Sequence, residues 1–228
     1  MPKLINVSKK WGNRSIFDNL TLEFDKDKTT AIIGKSGIGK TTLFKMIARL
    51  TDFEGEISGF GRISYVFQEP RLLPFLTVKE NLLYALSGSN LGEDLQNTIE
   101  KYARLTEITQ FLDKRADKLS GGEMQRVSLA RAFCYPSDTI LCDEPFSSLD
   151  LGLKKRIMGV YNDLISASPR TTIIITHTID EALFLADTIV YIDQNGYKRF
   201  ENPTKKEERV FGYEKDNALR ATLIDLLS

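Results

Sequence analysis

The run Gly34-Lys35-Ser36-Gly37-Ile38-Gly39-Lys40-Thr41 sets glycines, a lysine and a hydroxyl at the spacing a phosphate-binding loop requires. Its glycines let backbone N–H groups turn inward around a phosphate, and a helix opening directly behind them adds the positive end of its dipole. Lys40 brings a mobile positive charge to the β and γ oxygens of a nucleotide, and the Thr41 hydroxyl suits Mg²⁺. A glycine-rich turn that merely joined a strand to a helix would not explain Lys40-Thr41 at this offset.

A chemistry of hydrolysis needs an acid on the metal and a base on the water. The apolar run 139–142 ends in Asp143-Glu144, at the carboxyl end of an expected strand, where open parallel sheets place their ligands. Asp143 is placed to hold the Mg²⁺ shell, and Glu144 to polarise the attacking water as general base. Two acids closing a strand are commonly no more than solvated side chains; with a phosphate loop upstream, the catalytic reading is the better one. His177, the only histidine, ends another apolar run; alone, a histidine there is more often a satisfied structural residue than a catalytic one, and its placement after the acid strand favours the catalytic reading.

Leu119-Ser120-Gly121-Gly122-Glu123 has two readings that are compatible. Ser120 with Glu123 three residues on is a capping box that starts a helix. Two glycines in a first helical turn nevertheless cost stability, roughly 1 kcal/mol each in a helix interior. Their use is to let bare backbone at a positive helix end approach an anion.

These groups must be held by a frame, and the frame is legible in the hydrophobic pattern. Runs at 29–33, 139–142, 171–175 and 188–192 are rich in Ile and Thr and nearly continuous rather than alternating, as in strands buried on both faces of a largely parallel sheet. Helical patterns fall between them at 42–50, 123–134, 153–166 and 180–186, so the chain reads as α/β with crossover helices. Segments 16–24 and 55–67 read as strands of an antiparallel flap. Between Phe67 and Ser120 strands stop; 78–86 and 92–112 read as helices, with Gly88-Ser89-Asn90 as a break, which makes a helical insertion. After Gly196 come the charged stretch Lys205-Lys206-Glu207-Glu208-Arg209 and an amphipathic end at 218–227.

Bulk composition excludes several roles. The 228 residues fit one large domain, and Lys plus Arg equal Asp plus Glu at 31 each, so no global field steers the chain onto nucleic acid or anionic lipid. Cys134, Cys142 and a single histidine cannot supply the four ligands of a structural zinc, and both cysteines read as reduced core thiols of a cytosolic protein. No run approaches the roughly 18 to 20 apolar residues of a membrane span, so a partner would supply any span.

Taken together, these motifs resemble the nucleotide-binding subunit of an ATP-binding cassette (ABC) transporter over nearly the whole chain: the loop, Gln68, Leu119–Glu123, Asp143-Glu144, Ser148-Leu149-Asp150 and His177 stand in that family's order. The resemblance implies a P-loop NTPase (RecA-like) α/β core, with an N-terminal antiparallel β subdomain and an inserted α-helical subdomain. Residues 1–67 and 135–200 would form the β subdomain and core, about 68–134 the insertion and about 201–228 a C-terminal helical tail. The implied ligands are ATP and Mg²⁺, held by the loop through Thr42. Two cassettes would face head to tail, this chain with a second copy or a paralogous ATPase, so that Ser120, Gly121 and Gly122 of one close over the ATP of the other. Trp11 matches the aromatic that stacks on adenine, and its neighbours Lys9, Lys10 and Gly12 suit an exposed platform better than a core anchor. Gln68 matches the residue that senses Mg²⁺ and the water. Asp150 matches the one passing information between sites, and His177 the switch that contacts the γ-phosphate and orients Glu144.

The stretch Phe67-Gln68-Glu69-Pro70-Arg71-Leu72-Leu73-Pro74-Phe75-Leu76-Thr77-Val78 is similar to ATPases of importers for nitrate, alkanesulfonate, taurine and pyrimidine precursors, and so is the segment after Thr176-His177. That implies transmembrane permease subunits docked at Arg71 to Thr77, a solute-binding protein beyond them, and a place on the cytoplasmic face of the membrane. No fused membrane domain and no long C-terminal regulatory domain is expected. Two departures stand out: Thr178 where the family often has aspartate, and Glu123 where it often has glutamine. An exporter ATPase for lipids, lipoproteins or peptides would carry the same motifs. A soluble ABC ATPase acting on DNA, ribosomes or iron–sulfur assembly is disfavoured by the balanced charge and the single cassette.

Overall fold

The computed structural model describes residues 1–87, 94–147, 149–212 and 218–227. Its centre is a six-stranded sheet built from β3 (Thr29–Ile33), β5 (Ile63–Val66), β6 (Thr139–Asp143), β7 (Thr171–Ile175), β8 (Thr188–Asp193) and β9 (Gly196–Glu201), in the order β5-β6-β7-β3-β8-β9. Every pairing from β5 to β8 is parallel, and β9 closes one edge antiparallel to β8. All five residues of β3 and of β7 are buried, as their continuous apolar pattern requires of strands covered on both faces.

Alternation along single strands divides the interior. Ile140 and Cys142 of β6 face a helical cluster, while Leu141 between them faces the N-terminal half. The helical side holds α2 (Val78–Leu86), α3 (Leu95–Leu105), α4 (Gly121–Cys134) and α5 (Leu151–Ala167). On the other side α1 (Lys40–Ile47) is covered by a three-stranded antiparallel sheet of β2 (Arg14–Glu23), β1 (Lys3–Trp11) and β4 (Glu54–Ser58). A smaller cluster packs α6 (Ile179–Leu185) and α7 (Ala218–Leu227) against β3 and β8 through Ala182, Ile189 and Leu223. Cys134 and Cys142 are both free and buried, and burial pushes the Cys134 thiol up to about 12.

One sequence expectation changes, and two strands are added to those expected. Segment 55–67 does not lie wholly in the antiparallel flap: β4 pairs with β1, but β5 runs parallel to β6 in the central sheet. The switch is made at a turn where Gly59 and Gly61 hold positive φ, after which Asp138 accepts the Arg62 N–H at 2.7 Å and Ser64 meets Ser137 at 2.9 Å. β1 is missing from the sequence reading because its alternation is broken: register shifts fall on both sides of Val7, and Asn6 takes φ 50°. β9 is missing because it is a polar edge, with Lys198, Arg199 and Glu201 in place of an apolar run.

Helix bounds differ for a local reason. The helix expected at 42–50 runs from Lys40 to Ile47 and ends in a left-handed Arg49, with Leu50 N–H on Lys45 O (2.8 Å) and Arg49 N–H on Met46 O (3.0 Å). The helix expected over 92–112 likewise stops at Leu105, where Glu107 takes φ 55° and buried Ile108 bonds back to Ala103. The expected break at Gly88-Ser89-Asn90 lies outside the described residues.

Candidate functional site

The glycine-rich loop joins β3 to α1, and two of its glycines, Gly34 and Gly39, are required by contact, while Gly37 meets nothing within 4 Å and is favoured by its φ of 75°. A Cβ on Gly34 would run into the carbonyl of Ile192, and one on Gly39, at φ 110°, into Ile16 and to 3.2 Å from the Phe17 ring. No side chain caps α1, so its first N–H groups stay open toward the loop. Lys40 is buried, and its ammonium donates to the carbonyls of Gly34 (2.7 Å) and Lys35 (3.1 Å). Burial lowers its pKa, and the nearby Glu144 and Asp143 charges oppose that shift. Arg14, at the start of β2, donates to Gly37 O at 3.2 Å and ties the antiparallel sheet to the loop. Above lies a cleft of 610 Å³ lined by Ser36, Gly37, Gly39 to Thr42, Ile16, Glu144 and His177. Ile38 turns the other way, against the N-terminal core.

At the end of β6 the two carboxylates part company. Asp143 Oδ1 accepts from the Thr41 hydroxyl at 3.4 Å, and its Oδ2 from the Tyr65 phenol at 3.0 Å. Burial raises the Asp143 pKa, and those two hydrogen bonds hold it back. Glu144 takes φ 46°, a left-handed conformation that costs a side-chain-bearing residue about 1–3 kcal/mol. Its carbonyl is held by the Ser147 N–H and hydroxyl, and its Oε2 lies 3.3 Å from His177 Nδ1. The residue before His177 is anchored from behind: buried Glu181 accepts from the Thr176 hydroxyl and pairs with Lys154 of α5 at 2.7 Å.

Hard oxygen donors suit Mg²⁺, and here they are Thr41 Oγ1 and Asp143 Oδ1, 3.4 Å apart. Among the described residues no group of three or more His, Cys, Asp or Glu side chains could enclose a metal by itself. That fits an ion that keeps waters and substrate phosphates in its shell rather than one held in an all-protein cage.

Other candidates stand apart from the cleft. Trp11, at the tip of β1, is half exposed, with the Lys9 ammonium 4.4 Å from its ring centre, and Lys9 is fixed by Asp52 at 2.8 Å. Gln68 donates to Ser147 Oγ at 3.3 Å and lines a second cleft with Thr41, Tyr65 and Asp143. Ser120 and Glu123 form the expected capping box at the start of α4, and the Ser120 N–H holds the Glu123 carboxyl below its ordinary value. None of Ser120, Gly121 or Gly122 lines the loop's own cleft. A Cβ on Gly122 would strike Leu153 at 2.7 Å, whereas one on Gly121 would meet nothing within 4 Å, so of the two glycines only Gly121 is open. Asp150 accepts from Gly152 and Leu153 N–H and caps α5; Ser148 lies outside the described residues.

Tyr65, Arg14, Lys154 and Glu181 were not singled out by sequence reasoning. The available signal was a phenol inside the short strand that precedes Gln68, whose neighbour in the sheet could not be read from the pattern.

The family described as "ABC transporter" matches residues 17–147, more than half of the chain. The Fe(3+) ions import ATP-binding protein of Fusobacterium nucleatum is 31% identical over 88% of this chain, which spans 58% of that relative's length. An aliphatic sulfonates import ATP-binding protein of Mesorhizobium japonicum is 35% identical over 83% of this chain and 76% of its own. The tungstate uptake system ATP-binding protein of Peptoclostridium acidaminophilum is 38% identical over 82% and 92%. Among solved structures, a bacterial ABC transporter cassette in dimeric form superposes with a TM-score of 0.76, at 28% identity, over 90% of this chain and 100% of that one. The same cassette in a post-hydrolysis state, bound to ADP and Pi, gives 0.75.

Proposed function

The chain belongs to the ABC transporter family, and from that premise we propose that it is the ATP-hydrolysing subunit of a binding-protein-dependent importer for a small anionic or nitrogen- or sulfur-containing solute. The observation that carries the catalytic part is Glu144, held 3.3 Å from His177 over a cleft floored by the loop and Lys40. In this reading the loop N–H groups and Lys40 bind the β- and γ-phosphates, and Thr41 and Asp143 hold Mg²⁺, which when bound offsets phosphate charge. Glu144 takes a proton from a water as the water oxygen bonds to the γ-phosphorus and the bond to the ADP oxygen breaks. His177 keeps the Glu144 carboxylate aimed at that water and contacts the γ-phosphate. Gln68 reports on the cation and the water, and Trp11 stacks on the base.

The importer part draws its support from the sulfonate, tungstate and iron import proteins to which the chain is similar. Among the described residues no helix is long and apolar enough to cross a membrane; in this reading a permease supplies the span. Its docking surface would be Arg71 to Thr77, where Phe75 is 65% exposed and Asn81 braces Leu73 through both its N–H and its carbonyl. The chain would sit on the cytoplasmic face of the membrane, paired head to tail with a second cassette, with the solute-binding protein on the far side.

Gentle detergent extraction of the tagged chain, followed by mass spectrometry, tests the transport role. A multi-span permease with a solute-binding protein is the expected company; a purely soluble complex would overturn import. The base-stacking role is checked by Trp11, whose emission as the sole tryptophan reports one site. Saturating ATP should change it by a readily measured fraction, and a flat titration would remove Trp11 from the site.

A further inference from the structure

We propose that Tyr65 is a positioning residue for the cation-holding carboxylate, and that it ties this carboxylate to the loop carrying Gln68. The inference rests on the reading of Asp143 as the residue that holds the nucleotide's cation.

The two oxygens of Asp143 are used differently. The Tyr65 phenol donates to Oδ2 at 3.0 Å, which stops the carboxylate from swinging about its last torsion. Oδ1 is left beside Thr41 Oγ1, 3.4 Å away, as the oxygen pair open to a hard cation. Groups that fix the rotation of a metal ligand from its far side set the affinity of the metal, although they never touch it.

The phenol is held as firmly as it holds. Its ring meets Phe44 of α1 edge-on, with centroids 5.9 Å apart and planes at 90°, and stacks on Phe67 at 4.2 Å and 22°. Phe67 directly precedes Gln68 and lies under the Arg71 guanidinium at 4.3 Å. The backbone beyond is pinned to α4 by Arg131, which donates to the carbonyls of Pro70 and Arg71 at 2.8 Å each. Gln68 in turn reaches Ser147, whose hydroxyl bonds the Glu144 carbonyl. The loop is therefore tied to the acid strand at two places: through Tyr65 to Asp143, and through Ser147 to Glu144. A displacement of the 67–71 segment must either break the stack or turn the phenol, and turning the phenol releases Oδ2.

The test uses the full chain with Mn²⁺ as probe and a non-hydrolysable ATP analogue, protein-bound Mn²⁺ being read by the enhancement of water-proton relaxation that distinguishes it from free Mn²⁺ and from Mn²⁺ on the unbound analogue. Tyr65→Phe keeps both ring contacts and removes only the hydroxyl. It should weaken Mn²⁺ about 10- to 100-fold, while affinity for the analogue in EDTA stays at the wild-type value. Asp143→Asn is the control for the underlying reading. If Asp143→Asn loses Mn²⁺ and Tyr65→Phe binds it as wild type does, the positioning role is overturned and the site assignment stands; if Asp143→Asn also keeps Mn²⁺, the assignment itself falls. Tyr65→Leu removes the stack as well, and should speed amide exchange across residues 67–71 where Tyr65→Phe does not. Equal protection in both variants would overturn the tie to the Gln68 loop.

Discussion

Glu144→Gln is expected to lower ATP turnover by about 10²- to 10⁴-fold, the usual contribution of a positioned general base, while ATP affinity changes little. The carboxamide has the same shape, so the left-handed turn at φ 46° and the Ser147 bonds to the Glu144 carbonyl remain available. What is lost is an oxygen able to take a proton from water. The phosphate-binding groups are untouched: Lys40 still spans Gly34 and Lys35, and the first N–H groups of α1 remain uncapped. Binding without turnover should leave the protein in its ATP-closed form, so size-exclusion chromatography with light scattering should show a dimer that persists in ATP and dissociates slowly. His177→Ala separates two roles. If it costs less than Glu144→Gln, the histidine orients a base that can still act; if Glu144→Gln turns over at the wild-type rate, the base lies elsewhere.

Local chemistry was the part of this site legible in the sequence. Gly34 to Thr41 and Asp143-Glu144 are each contiguous, and the requirement that a loop follow a strand and an acid pair end one can be checked without knowing which strands are neighbours. Parallel strands buried on both faces announce themselves as continuous apolar runs, which is why β3, β6, β7 and β8 fall where the pattern puts them. Contacts that depend on sheet order stayed hidden. Tyr65 meets Asp143 only because β5 leaves the flap and lies beside β6; Gly59 and Gly61 mark a turn within 55–67, but a turn does not say which sheet the chain joins after it. Lys154 meets Glu181 only because α5 and α6 flank neighbouring strands. β1 was hidden for a different reason, since a bulge at Asn6 destroys the period-two signal that a strand with one face buried would otherwise show.

Mixing two inactive variants should restore activity if a second copy of this chain completes each site. Lys40→Ala removes the ammonium from the loop but leaves α4 intact. Gly121→Asp does the converse. A side chain there meets nothing within 4 Å, so the subunit's own packing is undisturbed, and an acid in the first turn of α4 suits the helix dipole. Gly122 would be a poor choice, because a Cβ there strikes Leu153 and would confuse a folding defect with a lost contact. At the surface, the new carboxylate would stand where the partner's γ-phosphate must approach and repel it. Each variant alone should therefore fold, by circular dichroism and thermal melting, yet turn over poorly. In a head-to-tail pair made from one of each, the loop of the Gly121→Asp chain faces the unaltered Ser120 to Gly122 of the Lys40→Ala chain, so one site is whole and the other doubly damaged. Random pairing makes half the dimers mixed, each with one site of two, so about a quarter of wild-type turnover should return in a symmetric dimer. Activity that stays at the sum of the two variants, with mixed dimers demonstrably present, would rule out a second copy as the completing partner. A paralogous cassette would then have to supply the missing helix end.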